Sequence, residues 1–396
     1  MSDAVLVLNA GSSSIKLGLF QISKGEPALL CKGLLDEQQA APRLLLTDPS
    51  GKALHEECPP AGADEGHRLF AGIFDFIEAY FPNDRLAAVG HRIVHGGRDF
   101  SGPVAVTEEV LKALDGLTPL APLHQPGCIA PIRAIMALRP GLVQIACFDT
   151  AFHHTLAPPV SRFAIPSRFE ARGVRRYGFH GLSFEYVVSR LAALSPDLIQ
   201  ARTVVAHLGS GASLCAIAGG KSVDTTMGLT PLDGLVMGTR CGAIDPGVLL
   251  YLLQDQKMSP DAVQHLLYEK SGLLGVSGIS ADMRVLLASG KASARDAVDP
   301  FTFRVASEVA VMANTLKGLD CVVFTGGIGE HSSEIRARIG DRLAWLGLAL
   351  DASANAQGLL KIAAADSRVD ALIIPTSEET MIASHCAAAL SATAQA

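Results

Sequence analysis

Short apolar runs alternate with longer amphipathic stretches along this chain. Residues 4–9, AVLVLN, form a continuous apolar run of strand length, followed by the small-residue turn AGSSS and a second strand, IKLGLF. The same pattern returns at residues 203–220 as TVVAH, LGSGA and SLCAIAGG. Asn9 and His207 thus each end a buried strand that enters a Gly/Ser turn, and the two hairpins hint at a duplicated architecture. LAAVGHRIVHGG and LVQIACFDTAFHH read as buried strands ending in polar residues, with the helical spacing of DEGHRLFAGIFDFIEAYF placed before them. Further on, DPGVLLYLLQD and PFTFRVASEVAVMANTLKGL read as helices, the second leading into the strand CVVFTGG. SSEIRARIGDRLAWLGL opens on a serine suited to cap a helix, and ALIIPTSEE is a last strand before an alanine-rich helix. Residues 157–178, rich in Pro and Arg, read as a loop. Strands alternating with helices indicate an α/β protein.

Composition narrows this picture. A length of 396 residues suggests two or three domains, and 49% hydrophobic against 18% charged residues permits a large core. The net charge of −6 and the lack of a basic tract argue against nucleic acid as a partner. An acidic chain that handles anions must concentrate positive charge locally, through a few arginines, lysines and backbone N–H groups. The eight cysteines are scattered without a C-x-x-C pair, so they read as small buried hydrophobes in a reducing compartment. There is no membrane-spanning run of about 18 apolar residues and no signal-peptide pattern, so a cytoplasmic location is expected.

The candidate chemistry lies at strand ends. In NAGSSSIK, Ser12 and Ser14 offer hydroxyls and Lys16 a point charge, but the string is not a P-loop. A plain hairpin turn is the alternative reading. HLGSG and TGGIGEHSSEIR add two more glycine-rich strand ends, the latter running through glycines into a helix start that would favour an anion. Three such turns suggest a nucleotide held between two lobes. GHRIVHGG places Arg92 after a strand, RRYGFHG places His180 in a glycine-flanked turn, and TRCGAIDPG carries Arg240. Arginine suits phosphoryl and carboxylate oxygens through its bidentate fork. Asp149 closes VQIACFD, with a helix cap as its alternative reading.

Taken in order, these strings resemble the acetate kinase family. PLHQPG, TPLDGLVMGTRCGAIDPG, SGISADMR and PTSEE join the motifs above, and the resemblance runs from residue 5 to about residue 385. It implies a two-lobed actin-like (ribonuclease H-like) fold with a duplicated βββαβαβα core and an interlobe cleft. The expected division is an N-terminal lobe, 1–150, completed by a C-terminal helix, 380–396, and a nucleotide-binding lobe, 151–379. The activity implied is Mg²⁺-dependent phosphoryl transfer between ATP and acetate, with Mn²⁺ as a substitute metal and a homodimer as the assembly.

By the same resemblance, Asp282, Met283 and Arg284 with Gly327, Ile328, Gly329, Glu330 and His331 would form the adenosine pocket. His207, Leu208, Gly209, Ser210 and Gly211 would line the phosphates, with Ser12, Ser14 and Lys16 joining the nucleotide site. Asn9 and Glu378 would hold Mg²⁺ through water. Arg92 and Arg240 would bind the carboxylate and the moving phosphoryl group, and His180 would stabilise the transition state. Val94, Leu123, Phe179 and Pro231 would form the acyl pocket, with His124 beside it. Asp149 reads as orienting Arg240 or metal-bound water, because a carboxylate nucleophile is already ionised and needs no general base.

The chain departs from the family strings at Leu182, Phe184, Ser210, His331 and Ser377, which bears on efficiency and acyl preference more than on reaction class. A propionate or other short-acyl kinase remains an alternative, since one methylene is worth only ~0.8 kcal/mol of burial. A sugar kinase or a nonenzymatic ATP-binding protein of the same superfold is a remoter one.

Overall fold

The computed structural model describes residues 2–10, 14–23, 26–36, 43–57 and 65–393. Ser12 lies outside the described residues, as does the side chain of Ser14. The Cα trace divides into two compact units, residues 1–152 with 377–396 and residues 153–376.

In the first unit the strands are β1 (Ser2–Ala10), β2 (Ser14–Ile22), β3 (Ala28–Asp36), β4 (Arg43–Thr47), β5 (Ala53–Glu57), β6 (Asp84–Ile93), β7 (Val104–Ala105) and β8 (Val143–Phe148). They form one sheet in the order β5-β4-β3-β2-β1-β6-β8-β7. β1 to β5 are successive antiparallel neighbours, whereas β1, β6 and β8 run parallel. In the second unit β9 (Thr203–Leu208), β10 (Ala212–Ala218), β11 (Lys221–Thr225), β12 (Cys321–Thr325) and β13 (Asp370–Ile373) take the order β11-β10-β9-β12-β13. Here too an antiparallel three-stranded start is followed by two parallel strands. The series β3-β2-β1-β6-β8 therefore matches β11-β10-β9-β12-β13, and the duplication hinted at by the two hairpins is a property of the sheets.

Alternation along the strands divides the first sheet into two faces. Leu6, Leu8, Leu17, Leu19, Leu35, Leu44 and Leu46 join Leu69, Phe70, Ile73, Phe74 and Ile77 of the helix Glu65–Tyr80 in one apolar cluster. The opposite face meets the C-terminal helix Glu378–Thr393. A β-carbon at Gly90 would stand 2.6 Å from both Cys386 Sγ and Ile382 Cγ2, so the helix packs at glycine distance against β6.

Three expectations are corrected. GIGEH is not a turn: Gly326–His331 is a short helix that follows β12 directly. The long helix begins at Ala292 and carries Pro300 inside it, rather than starting at the proline. Residues 157–178 also contain a short helix, Ser167–Ala171, and are not all loop.

Candidate active site

Parallel pairing brings three of the singled-out residues together in the first unit. Leu8 is opposite His91, and Arg92 is opposite Cys147, so Asn9, Arg92 and Asp149 stand at the carboxyl ends of adjacent strands. Open α/β sheets place ligands at such ends. Arg92 donates from Nε to Asp149 Oδ1 at 3.0 Å and from Nη2 to Oδ2 at 2.6 Å, while its Nη1 reaches Asn9 Oδ1 at 3.3 Å. Asp149 is 1% exposed. Burial works against the Arg92 cation, but the carboxylates of Asp149 and Glu378 outweigh it and raise its pKa above the ordinary arginine value. Three of the five guanidinium N–H donors are thus committed, and two are left for an anion. The sequence suggests that Asp149 orients Arg240 or metal-bound water, or caps a helix; the structure shows its carboxylate gripping Arg92.

The amide Nδ2 of Asn9 donates to Glu378 Oε2 at 2.9 Å and to Glu379 Oε1 at 2.8 Å. Glu378 also lies 3.8 Å from Arg92 Nε. Among the described residues no group of three or more His, Cys, Asp or Glu is arranged to hold a metal. Two carboxylates and one amide do fit an ion that keeps most of its water and is held mainly through it, as Mg²⁺ does. Sequence reasoning named Glu378 but not Glu379, although adjacent acids at a helix start could have flagged both.

The other residues expected in this unit are more dispersed. Lys16 pairs with Asn9 across β1 and β2 and is exposed beside a separate apolar cavity of about 380 Å³. Val94 is buried just beyond β6, and Leu123 is exposed in the loop before the helix Gln125–Leu138. His124 is the residue that precedes this helix, and its side chain makes no capping bond.

In the second unit His180 takes the left-handed conformation (φ 57°) and starts the helix Gly181–Leu194. Its Nδ1 meets Ser213 Oγ at 2.8 Å, and its ring stacks on His207 at 4.5 Å. A β-carbon at Gly211 would stand 3.3 Å from His180 Nε2 and 3.4 Å from Arg240 Nη2, so both side chains converge on that glycine. Arg240 is steadied by donation from Nη1 to Pro231 O at 2.8 Å. Phe179 is buried, and its carbonyl meets His153 Nε2 at 2.9 Å. His153 also meets Ser222 Oγ at 2.8 Å, and its own burial lowers its pKa to about 4.

A cavity of about 860 Å³ lies in the same unit. It gathers Gly209, Ser210, Asp282, Met283, Arg284, Gly327, Ile328 and His331, residues that are up to 122 positions apart in sequence (331 − 209). Asp282 caps the helix Met283–Leu287 and pairs with Arg284 at 2.6 Å; these hydrogen bonds hold its pKa down at about 2. Leu208 is buried beneath the turn, and Gly329 is buried within its helix.

Glu330 does not line this cavity. Its Oε1 accepts from Gly326 N at 2.8 Å and Thr376 N at 3.2 Å. The N-terminus of Gly326–His331 is therefore met by the protein's own carboxylate, whereas the helix start expected after the glycines is that of Ser333–Leu343, capped by Ser332 and lining the cavity. Arg336, 1% exposed, completes the support from the other end by donating to Gly329 O and Glu330 O at 2.9 Å and to Asn355 Oδ1 at 2.7 Å.

A family model described as the acetokinase family matches residues 4–384. The chain belongs to this family. Among curated acetokinase-family relatives, a Rhodopseudomonas palustris protein named acetate kinase is 50% identical over 390 residues, 97% of this chain and 98% of its own length. One from Methylocella silvestris, also named acetate kinase, is 47% identical over 398 residues, 98% of each chain. The solved structure of a propionate kinase from Francisella tularensis superposes with a TM-score of 0.89 at 37% identity, covering 97% of this chain and 98% of its own. Porphyromonas gingivalis acetate kinase gives 0.86 at 36% identity, covering 98% and 100%.

Proposed function

We propose that this chain transfers the γ-phosphoryl group of ATP to acetate, giving acetyl phosphate and ADP, and runs the reverse reaction. The observation that carries this reading is the partly buried Arg92, fixed by Asp149 beside Asn9 and Glu378 with two N–H donors still unspent. Such a group is preorganised for an anion and costs little reorganisation when charge develops. Full-length similarity to relatives named acetate kinases supports the same reading.

In the forward step a carboxylate oxygen of acetate attacks the γ-phosphorus. The new O–P bond forms as the bond to the β–γ bridging oxygen breaks, and ADP leaves with that electron pair. The transferring group spreads negative charge over three oxygens, so positioning and cationic donors supply most of the catalysis. Arg92 and Arg240 bind and orient the anions, His180 donates to the phosphoryl oxygens, and Asp149 holds Arg92 in place. Mg²⁺, or Mn²⁺ in its stead, neutralises phosphate charge when bound, with Asn9, Glu378 and Glu379 as the residues that would hold it.

In this reading residues 153–376 are the nucleotide-binding unit, and the 860 Å³ cavity takes adenosine. Val94, Leu123 and His124 of the first unit and Phe179 and Pro231 of the second are assigned to recognition of the acyl group, and Lys16, Ser12 and Ser14 to the phosphates. A cytoplasmic homodimer completes the proposal. The helix Pro246–Gln254, with Leu250 and Tyr251 exposed, supports an association surface. The free cysteines among the described residues, and the lack there of a helix long and apolar enough to cross a membrane, accord with that location.

Trapping the product as a hydroxamate, with ATP, Mg²⁺ and a panel of acetate, propionate and butyrate, tests the reading. Acetate is expected to give the highest kcat/KM. A higher value for propionate would select the activity named for the Francisella tularensis structure. No hydroxamate from any carboxylate would overturn the proposal.

A further inference from the structure

The chain leaves the second unit for the first between Thr376 and Ser377. Thr376 lies just beyond β13, whose parallel neighbour β12 leads directly into the helix Gly326–His331. One carboxylate oxygen joins these two strand exits. Glu330 Oε1 accepts from Gly326 N at 2.8 Å, at the start of the helix, and from Thr376 N at 3.2 Å, at the crossing. Bonds from backbone N–H to a carboxylate are stronger than neutral ones. Glu330 is itself held, because Arg336 donates to its carbonyl at 2.9 Å. The Thr376 hydroxyl is buried without a hydrogen-bond partner, so the backbone N–H and not the side chain ties the crossing down. A carboxylate that only capped the helix would need Gly326 N alone. The second bond, to a residue 46 positions away, makes it a link.

Each end of this link has a task. On one side Gly327, Ile328 and His331 of the same short helix line the 860 Å³ cavity. On the other side Ser377 Oγ meets Thr380 Oγ1 at 2.7 Å and opens the C-terminal helix. The first two residues of that helix, Glu378 and Glu379, take the Asn9 amide. The path from cavity wall to acidic pair therefore runs through one helical turn, the Glu330 carboxylate, the Thr376 N–H and two peptide bonds. A ligand that fixes the wall removes freedom from the crossing as well.

We propose that Glu330 is a positioning residue that couples occupancy of the cavity to the placement of Glu378 and Glu379, so that the acidic pair is fixed when a nucleotide is in place. This rests on the reading that the cavity takes adenosine. The coupling is reciprocal: whatever fixes the acidic pair also favours the nucleoside.

Hydrogen exchange of the full-length protein, read by mass spectrometry with and without adenosine and with no metal added, tests it. Adenosine is the probe because it has no phosphate to carry a metal to the carboxylates. In the wild type it is expected to slow exchange in segment 281–287, at the cavity, and by at least about fivefold in segment 376–383, the lower end of ordinary coupling. Glu330→Ala is expected to keep the first effect and to reduce the second below about twofold. Glu330→Asp, one methylene too short to meet both N–H groups, replaces the alanine variant if that one fails to fold. Glu330→Gln, which keeps an acceptor oxygen, should retain part of the effect. The quantity read is the difference adenosine makes, which loss of a merely structural cap would not abolish. Full protection of 376–383 by adenosine in Glu330→Ala or Glu330→Asp would overturn the proposal. So would a wild type in which 281–287 is protected and 376–383 is not. Protection of neither segment in the wild type would refute the adenosine reading of the cavity, and the coupling with it.

Discussion

Arg92 and Asp149 show how far single residues could be read. Each was singled out because it ends an apolar run in a polar side chain, a signal the sequence carries openly. Their pairing was not legible, because the two lie 57 positions apart and meet only through the parallel register of β6 and β8. The pair changes what substitution should do. Arg92→Ala is expected to lower kcat by orders of magnitude, and also to destabilise the unit by about 3–5 kcal/mol, because it strands a buried carboxylate. Combining it with Asp149→Asn should recover part of the melting temperature and none of the turnover; calorimetry beside steady-state kinetics would show this. Ser210 differs in kind. It is exposed at the cavity that also holds Asp282 and Gly327, so a longer amide can enter without displacing the core. Ser210→Asn is expected to gain a few-fold to about tenfold in kcat/KM for ATP, with KM for acetate little changed. Unchanged or poorer ATP parameters would mean that the turn is adapted to serine.

Elements were legible where periodicity was strong and opaque where local chemistry decided. The strands ending at Asn9, His207 and Thr325 follow from short apolar runs and appear as β1, β9 and β12. GIGEH reads as a turn because three of the six residues from Gly326 to His331 are glycine. It is helical because Glu330 reaches back to Gly326 N, and Arg336 holds the carbonyls at its far end. Neither bond leaves a trace in composition. Leu182 and Phe184, departures from the family strings, prove to be buried, with Phe184 edge-on to His153 and His207. Both are core residues, and Phe184 packs against the two histidines. The Arg336 brace yields an element-scale expectation. Arg336→Met should leave two helix-end carbonyls and Asn355 unsatisfied, cost about 2–4 kcal/mol, and raise KM for ATP more than KM for acetate. Equal effects on both constants in a folded variant would detach the brace from the cavity.

At the scale of the molecule, the match between β3-β2-β1-β6-β8 and β11-β10-β9-β12-β13 accounts for the layout of the sites. Each unit carries a polar residue one position before the end of its central strand, Asn9 in β1 or His207 in β9, and gathers its chemistry at the same strand ends. The sequence hinted at this repeat through its two hairpins but could not give the order, which depends on long-range pairing. Each unit also buries a neutral histidine. Burial lowers the pKa of His91 in the first unit and of His153 in the second to about 4. Unfolding returns both to the ordinary value near 6.5, so between about pH 6.5 and 4 the unfolded chain binds more protons than the folded one. Stability is therefore fully present above that window and should fall as pH drops through it, by up to about 3 kcal/mol per histidine. His153→Gln should flatten that slope in the melting temperature of its own unit.

The central claim is that the chain makes an acyl phosphate by moving one phosphoryl group from ATP to acetate. Phosphorus-31 NMR of the purified protein with ATP, Mg²⁺ and acetate tests it directly, because acetyl phosphate, ADP and inorganic phosphate give separate signals. The result expected is acetyl phosphate and ADP appearing in equal amounts with no matching rise in free phosphate, and no product when acetate is omitted. ATP left intact, or ADP and free phosphate accumulating without acetyl phosphate from the start, would contradict the account.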